Sequence, residues 1–283
     1  MIKANDTIFR FYLAMMDSFS EYLSEKYPEN SSIDDTKHYQ TVIIKRIVQM
    51  FYSLELLTKD TLDEVSARCV LRGILDSVTI YCFIYKREDY EEILFRHYLY
   101  VLDGFSSYRD HVIKNDIDYN ESNSILTICD DVISQIEHKL LSHPYSSRDN
   151  TVAAKIIESH NWKYRSFQNQ NSVKFGEMYT LVNFENRYAD YCKSYLSQHA
   201  HGLCFSNRIH VNREQMKKVL FESIPIADKF IQSITQTFCD KSMIINFFSS
   251  GKIKTFLDSR DFDIDNLFDF AKALIRKDKI ILT

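Results

Sequence analysis

The stretch that decides the fold is residues 61–85, TLDEVSARCVLRGILDSVTIYCFIY. A helix of these residues is apolar almost all round, which predicts a position at the centre of a bundle. Thr61 and Glu64 match the capping-box pattern, so we expect the helix to begin here and to run to about Tyr85. The apolar positions that carry this prediction are Val70, Leu71, Ile74, Leu75, Val78, Cys82, Phe83 and Ile84.

The composition extends the helical prediction to the rest of the chain. Only 5 Gly and 3 Pro occur among 283 residues, about 3% where an average chain has about 12%. Sheet-rich folds need frequent turn residues, and phosphate-binding loops need glycines. Apolar residues recur at three- and four-residue intervals instead, which predicts helices over residues 6–27, 36–57, 88–113, 125–141, 151–159, 175–184, 185–205, 214–239, 252–257 and 264–275.

The predicted fold class is therefore all-α, a multi-helix bundle with a C-terminal helical extension. We expect a core domain over residues 1–211 and an extension over residues 212–283 that packs on the core. Six cysteines without a C-x-x-C pair, and a start without an apolar signal segment, predict a cytoplasmic protein. No run of residues is long and apolar enough to predict a membrane span.

A charged pair interrupts the apolar helix. Arg72 and Asp76 lie four residues apart and so share a face, beside Gly73, where the missing side chain permits close helix approach. Buried charges need partners. The pair is either a structural ion pair that fixes helix register or part of a polar pocket. We expect Arg96 and His97 of the following helix to line the same region.

A second polar cluster lies near residue 200. Tyr191 and Tyr195 share a helix face, and Ser197 follows them. On a helix His199 and His201 point about 200° apart, which disfavours a shared metal ion, and the sequence predicts no metal and no cofactor. His201 is the candidate for a buried, hydrogen-bonded histidine. The predicted catalytic residues are thus His201, Arg72 and Asp76, and the predicted binding residues are Arg96, His97, Tyr191, Tyr195 and Ser197.

Two pieces of the chain carry a family resemblance. Residues 67–76, ARCVLRGILD, resemble the R-x-x-x-E core helix of an uncharacterised bacterial all-helical family, a domain of unknown function. Asp76 stands where that family usually has Glu. Trp162 and residues 191–202, YCKSYLSQHAHG, are similar to the family's W…Y-x-x-x-S-x-x-x-H segment. The resemblance covers roughly residues 40–205.

The resemblance implies an architecture and a candidate site but no reaction. Ser197 and His201 would stand for the family's Ser and His, and Tyr191 or Tyr195 for its Tyr. A second, more distant resemblance is to the HEPN-type ribonucleases of bacterial defence and toxin systems, which rely on R-x4–6-H. None of the nine histidines here has an Arg five to seven positions upstream.

Two functions remain open at this point. The first is a bacterial interaction or ligand-sensing module with an internal polar cluster. The alternative is a metal-independent, HEPN-like ribonuclease or phosphodiesterase in which His201 moves the proton and Arg72 holds the phosphate. Whether the chain is an enzyme is left open. A net charge of −4 gives nucleic acid weak support as a partner, beside a second copy of the chain or another protein, and no membrane partner is expected.

Overall fold

A computed structural model describes residues 2–29, 32–115, 119–184, 192–200 and 213–249 of the chain. Ten α-helices lie within these ranges: α1 (Ile2–Lys26), α2 (Thr36–Leu56), α3 (Glu64–Tyr85), α4 (Tyr90–Asn115), α5 (Tyr119–Ser142), α6 (Asn150–Glu158), α7 (Phe175–Leu181), α8 (Ser197–Ala200), α9 (Arg213–Phe238) and α10 (Lys241–Ser249). Two π-helical turns, Leu57–Thr61 and Cys192–Leu196, precede α3 and α8.

The all-α prediction is confirmed. The described residues form no β-strand, and their only β-type pairing is a single antiparallel bridge between Tyr164 and Ser172. Within the same residues, no helix is both long enough and apolar enough to cross a membrane.

The start of α3 differs from the prediction. Thr61 closes the π-helical turn, because its hydroxyl donates to the Leu57 carbonyl at 3.1 Å. Leu62 then adopts the left-handed conformation with φ of 51°, which separates Thr61 from the helix that follows. Asp63 caps α3 instead, since its Oδ1 accepts the Ser66 N–H at 3.0 Å. Hydrogen bonds from the side chain and the backbone N–H of Ser66 hold the pKa of the Asp63 carboxyl below its usual value.

The chain forms two compact units. Unit 1 comprises the described parts of residues 1–30, 37–82 and 182–283, and unit 2 comprises those of residues 31–36 and 83–181. Neither unit ends at the predicted boundary between residues 211 and 212. That boundary, and the extension it would define, stay predictions.

Helix α1 organises the core of unit 1, where it packs against α9 and α10. Phe11 and Phe19 of α1 both meet Phe247 of α10 edge-on, with ring centroids 5.8 and 6.1 Å apart. The close approach expected at Gly73 is present, because a Cβ at this position would lie 2.7 Å from the Met50 Cε of α2. A larger residue at position 73 would have to push the Met50 side chain aside.

Unit 2 is built on the pair α4 and α5, with α6 packed on α5. His97 of α4 is fully buried, and it takes a hydrogen bond at each ring nitrogen. Its Nε2–H donates to the Ile33 carbonyl at 3.0 Å, so its Nδ1 accepts the Tyr85 hydroxyl at 2.9 Å. Burial lowers the pKa of His97 to about 4, so the ring is neutral at pH 7.

The last two described helices are α9 and α10. α9 continues through Pro225 as one helix of 26 residues. α10 has no counterpart among the predicted helices, although Met243 and Phe247, both buried, share a helix face. The predicted helices over residues 252–257 and 264–275 lie outside the described residues.

Candidate functional site

A row of charged side chains runs along one face of α3 in unit 1. Glu64, Arg68, Arg72 and Asp76 follow one another at four-residue intervals, so they lie one above the other. Glu64 and Arg68 are almost fully buried, whereas Arg72 and Asp76 keep part of their surface in solvent. The row therefore has a buried end and a half-buried end.

At the buried end, Arg68 joins two carboxylates. Its Nε donates to Glu64 Oε1 at 2.7 Å on the same helix, and its Nη1 donates to Glu222 Oε2 of α9 at 2.8 Å. Arg68 thus bridges one carboxylate of its own helix and one of α9. The second oxygen of Glu64, Oε2, is buried and has no hydrogen-bond partner among the described residues.

The segment of residues 192–200 packs against this end of the row. The Arg68 guanidinium lies 4.7 Å from the centroid of the Tyr195 ring, within cation–π range. Tyr195 and His199 meet edge-on, with their centroids 4.8 Å apart. Burial raises the pKa of the Tyr195 phenol, and the Arg68 charge opposes that rise.

His199 is buried and neutral. Its Nδ1–H donates to the Tyr195 carbonyl at 3.1 Å, and its Nε2 is buried without a partner among the described residues. Burial lowers the pKa of His199, and the positive charge of Arg68 lowers it further. The negative charges of Glu64 and Glu222 act in the opposite direction but do not reverse the shift. Because Nε2 does not reach solvent, this histidine is not placed to exchange a proton with a dissolved substrate.

At the half-buried end, Arg72 connects α3 to α8. Its Nε donates to Asp76 Oδ2 at 2.9 Å, so the ion pair that the four-residue spacing indicates is present. Its Nη1 donates to the Ser197 hydroxyl, also at 2.9 Å. Side-chain exposure is 18% for Arg72 and 30% for Asp76. A partly exposed guanidinium held by a carboxylate and a hydroxyl can also form charge-assisted hydrogen bonds with an anionic group from solution.

Arg96 and His97 have their described partners in unit 2. His97 binds the Ile33 carbonyl and the Tyr85 hydroxyl, and Arg96 binds Glu92 and two backbone carbonyls. The structure brings Arg72, Asp76 and Ser197 together in unit 1, with Tyr195 two residues before Ser197. His201 and Tyr191 lie outside the described residues.

The comparisons with known proteins add no family. No family model, no curated protein and no solved structure matches the chain. Among the residues that the structure describes, no group of three or more His, Cys, Asp or Glu side chains is placed to hold a metal ion. The candidate site is therefore defined by its own geometry.

Sequence reasoning missed Glu64 and Arg68 of the row and their partner Glu222, and it gave His199 too little weight. Glu64 and Arg68 have the same four-residue spacing as Arg72 and Asp76, and this spacing within an apolar helix was a usable signal. Glu222 gave no such signal, because a Glu on an amphipathic helix normally faces solvent. His199 was given less weight than His201, because the ring contact with Tyr195 follows from a local fold that spacing alone does not give.

Proposed function

We propose that the protein is a non-enzymatic helical module that senses a ligand or binds a partner through the polar row of unit 1. The observation that carries this proposal is the position of Arg72, which joins Asp76 on its own helix to Ser197 on a segment 125 residues away. Both members of the ion pair are partly exposed. An anionic group can therefore approach Arg72 without disrupting the buried end of the row.

The arrangement suggests how binding is transmitted. A ligand oxyanion at Arg72 competes with Asp76 and with the Ser197 hydroxyl for the same N–H donors. Loss of the Ser197 contact would weaken the attachment of residues 192–200 at one end, while the stacking of Arg68 on Tyr195 would keep the other end in place. Binding at Arg72 would then alter the surface presented by α8.

We further propose that the protein acts in the bacterial cytoplasm. The resemblance to an uncharacterised bacterial helical family supports the bacterial origin. Six cysteines without paired spacing support a reducing compartment. A second copy of the chain or another protein is the proposed macromolecular partner.

The test is the change in melting temperature of the full chain with defined anions. We would compare succinate, glutamate, inorganic phosphate and AMP, all at the same millimolar concentration and at constant ionic strength. A ligand that binds the folded state raises the melting temperature. At least one probe should do so for the unmodified protein and for Arg10→Gln, but not for Arg72→Gln. Arg10 pairs with Glu55 in the same unit and is partly exposed, so it is the matched control. Equal shifts in all three proteins, or none, would overturn the assignment to Arg72.

A second measurement separates this proposal from catalysis. The purified chain is incubated with single-stranded RNA in EDTA, and the RNA length is followed on a gel. We expect no cleavage. Cleavage that is lost in His201→Ala and kept in His199→Ala would instead establish the ribonuclease alternative.

A further inference from the structure

Arg96 occupies an unusual environment in the interior of unit 2. Its side chain is fully buried, and its guanidinium carbon lies 3.6 Å from the ring centroid of Tyr164 and 4.9 Å from that of Phe83. Nε donates to Glu92 Oε1 at 2.9 Å. Nη1 donates to the carbonyls of Trp162 and Tyr164 at 3.0 and 2.8 Å. The guanidinium is thus held rigidly by rings, carbonyls and one carboxylate.

The charges around Arg96 do not cancel. Glu92 Oε1 also accepts from Arg87 Nη1 at 2.9 Å, so two guanidinium groups converge on one carboxylate oxygen. Burial lowers the pKa of Arg87, and the charge of Arg96 lowers it further. Two like charges that share one counter-charge leave an excess of one positive charge in a half-buried location.

The nearby acidic residues have partners of their own. Asp89 receives two backbone N–H groups at the start of α4 and pairs with Arg148. Glu91 lies 3.2 Å from His143 Nε2. Arg148 adds a further guanidinium 4.1 Å from the Tyr145 ring centroid. Burial lowers the pKa of His143, so Glu91 keeps its negative charge, and the three guanidinium groups of Arg87, Arg96 and Arg148 are matched by three carboxylates in the wider neighbourhood. The excess positive charge is therefore local to Arg87, Arg96 and Glu92.

Two buried polar atoms at this location have no partner. Among the described residues, neither Arg96 Nη2 nor the Tyr164 hydroxyl makes a hydrogen bond, and both atoms are buried. A buried donor without an acceptor is destabilising, so a complementary group is expected. Arg96 Nη2 can only donate, and the Tyr164 hydroxyl can donate. Both donors belong to one stacked pair, in which the Arg96 guanidinium carbon lies 3.6 Å from the centroid of the Tyr164 ring. An acceptor with negative charge satisfies both the donors and the charge excess.

We propose that unit 2 contains an oxyanion-binding site in which Arg96, Arg87 and Tyr164 bind a phosphate group. Both guanidinium groups donate to Glu92 Oε1. When the Glu92 side chain turns to solvent, a phosphate oxygen replaces Oε1 as their shared acceptor. Glu92 and Arg87 keep 19% and 23% of their side-chain surface exposed, so the ligand enters on their side. The ligand is either free phosphate or the phosphoryl group of a phosphate monoester. The site does not depend on the function proposed for unit 1.

The test is calorimetric titration of the full chain with inorganic phosphate and, separately, with methyl phosphate, at ionic strength held constant with NaCl. Tyr164→Phe is the main variant, because it removes a hydroxyl that has no partner among the described residues and so leaves the fold intact. Arg87→Gln is the second variant. Arg109→Gln removes the same charge from an exposed pair of unit 2 and is the matched control. Arg72→Gln controls for binding in unit 1.

We expect saturable binding that weakens about tenfold in Tyr164→Phe and in Arg87→Gln, since each loses a hydrogen bond to a charged ligand. Arg109→Gln should bind like the unmodified protein, and both losses should also appear when the variants are made in an Arg72→Gln background, where unit 1 cannot contribute. Binding of both probes identifies a phosphoryl group on an ester, and binding of inorganic phosphate alone identifies free phosphate. No saturable binding of either probe at about 1 mM, or unchanged affinity in Tyr164→Phe, would overturn the proposal.

Discussion

The two units each contain one buried arginine in nearly the same local setting. Arg68 of unit 1 and Arg96 of unit 2 both follow a Glu by four residues on a helix, and both lie over a tyrosine ring. Their remaining partners differ. Arg68 meets a second carboxylate from a distant helix, whereas Arg96 meets two backbone carbonyls and shares its one carboxylate with Arg87.

This difference sets the character of each interior. Among the described residues, the unpartnered atoms beside Arg68 include a carboxylate oxygen, Glu64 Oε2, and two carboxylates contact the one guanidinium. Beside Arg96 the unpartnered atoms include an N–H donor, Nη2, and the charge excess is positive. The same sequence pattern, Glu-x-x-x-Arg, therefore fixes one ion pair but not the net charge of the interior. The additional charged partner is distant in the sequence beside Arg68, where it is Glu222, and close in the sequence beside Arg96, where it is Arg87.

The largest expected effect comes from removing Arg68. Arg68→Met leaves Glu64 and Glu222 without their shared counter-charge, and a broken buried pair costs about 3–5 kcal/mol. The free energy of unfolding, measured by urea titration and circular dichroism, should fall by about this amount. Lys217→Met, which breaks an exposed pair on α9, should cost about 1 kcal/mol or less.

A triple variant examines the reason for this loss. If uncompensated charge is the cause, Arg68→Met combined with Glu64→Gln and Glu222→Gln should be more stable than Arg68→Met alone. A triple variant that is still less stable would show that packing and not charge dominates at Arg68.

The second effect is a loss of stability on acidification. The pKa of His97 is about 4 in the folded protein and about 6.5 in an unfolded chain. The unfolded state therefore binds more protons between these values, so stability is complete above about pH 6.5 and falls as the pH approaches 4. The full shift corresponds to about 3 kcal/mol.

Urea titrations at several pH values between 4 and 7 measure this dependence. His97→Gln should flatten it, whereas His138→Gln, which changes an exposed residue of α5, should not. His199 of unit 1 acts in the same direction, because its pKa is also lowered by burial. Part of the dependence should therefore remain in His97→Gln, because the buried His199 and His143 also have pKa values lowered by burial. An unchanged slope in His97→Gln would contradict the neutral, buried state of this ring.

The third effect compares the two arginines directly. Arg96→Met should cost about 2 kcal/mol, less than Arg68→Met. Glu92 remains paired with Arg87 and is partly exposed, so no carboxylate is left without a counter-charge. The substitution also removes the unpartnered Nη2 donor. A loss in Arg96→Met that exceeds the loss in Arg68→Met, in the same urea titration, would contradict the charge assignment of the two interiors.

The sequence predicted the helices better than it predicted their contacts. The apolar periodicity of residues 61–85 identified α3, and four-residue spacing identified the Arg72–Asp76 pair, because both are local properties. The contact between Arg68 and Glu222 spans 154 residues, and no local pattern encodes it. Ser197 was selected as a member of the polar cluster near residue 200, and its hydroxyl accepts a hydrogen bond from Arg72.

The missed features have physical reasons. The capping pattern at Thr61 was wrong because a left-handed residue, Leu62, intervenes and Asp63 takes the capping role. Ridge packing of neighbouring helices led us to expect Arg96 and His97 in the same region as Arg72, and this stays a prediction. Their described partners come from segments around residues 33, 85, 92 and 163, all in unit 2.

The smallest effect belongs to the half-buried end of the row. Asp76→Asn removes the charge that faces Arg72, and because both side chains are partly exposed, we expect a loss of less than about 1 kcal/mol. Arg72 keeps its hydrogen bond to Ser197, so the attachment of α8 should survive. Urea titrations of Asp76→Asn and of Arg68→Met compare the two losses in free energy of unfolding within one helix, α3. An ion pair whose loss costs little stability can be displaced by a ligand. The Arg68 pairs cannot be displaced in this way, because their loss would destabilise the fold. A loss in Asp76→Asn as large as that in Arg68→Met would make Arg72 a structural residue like Arg68, and the proposed site would lose its exchangeable contact.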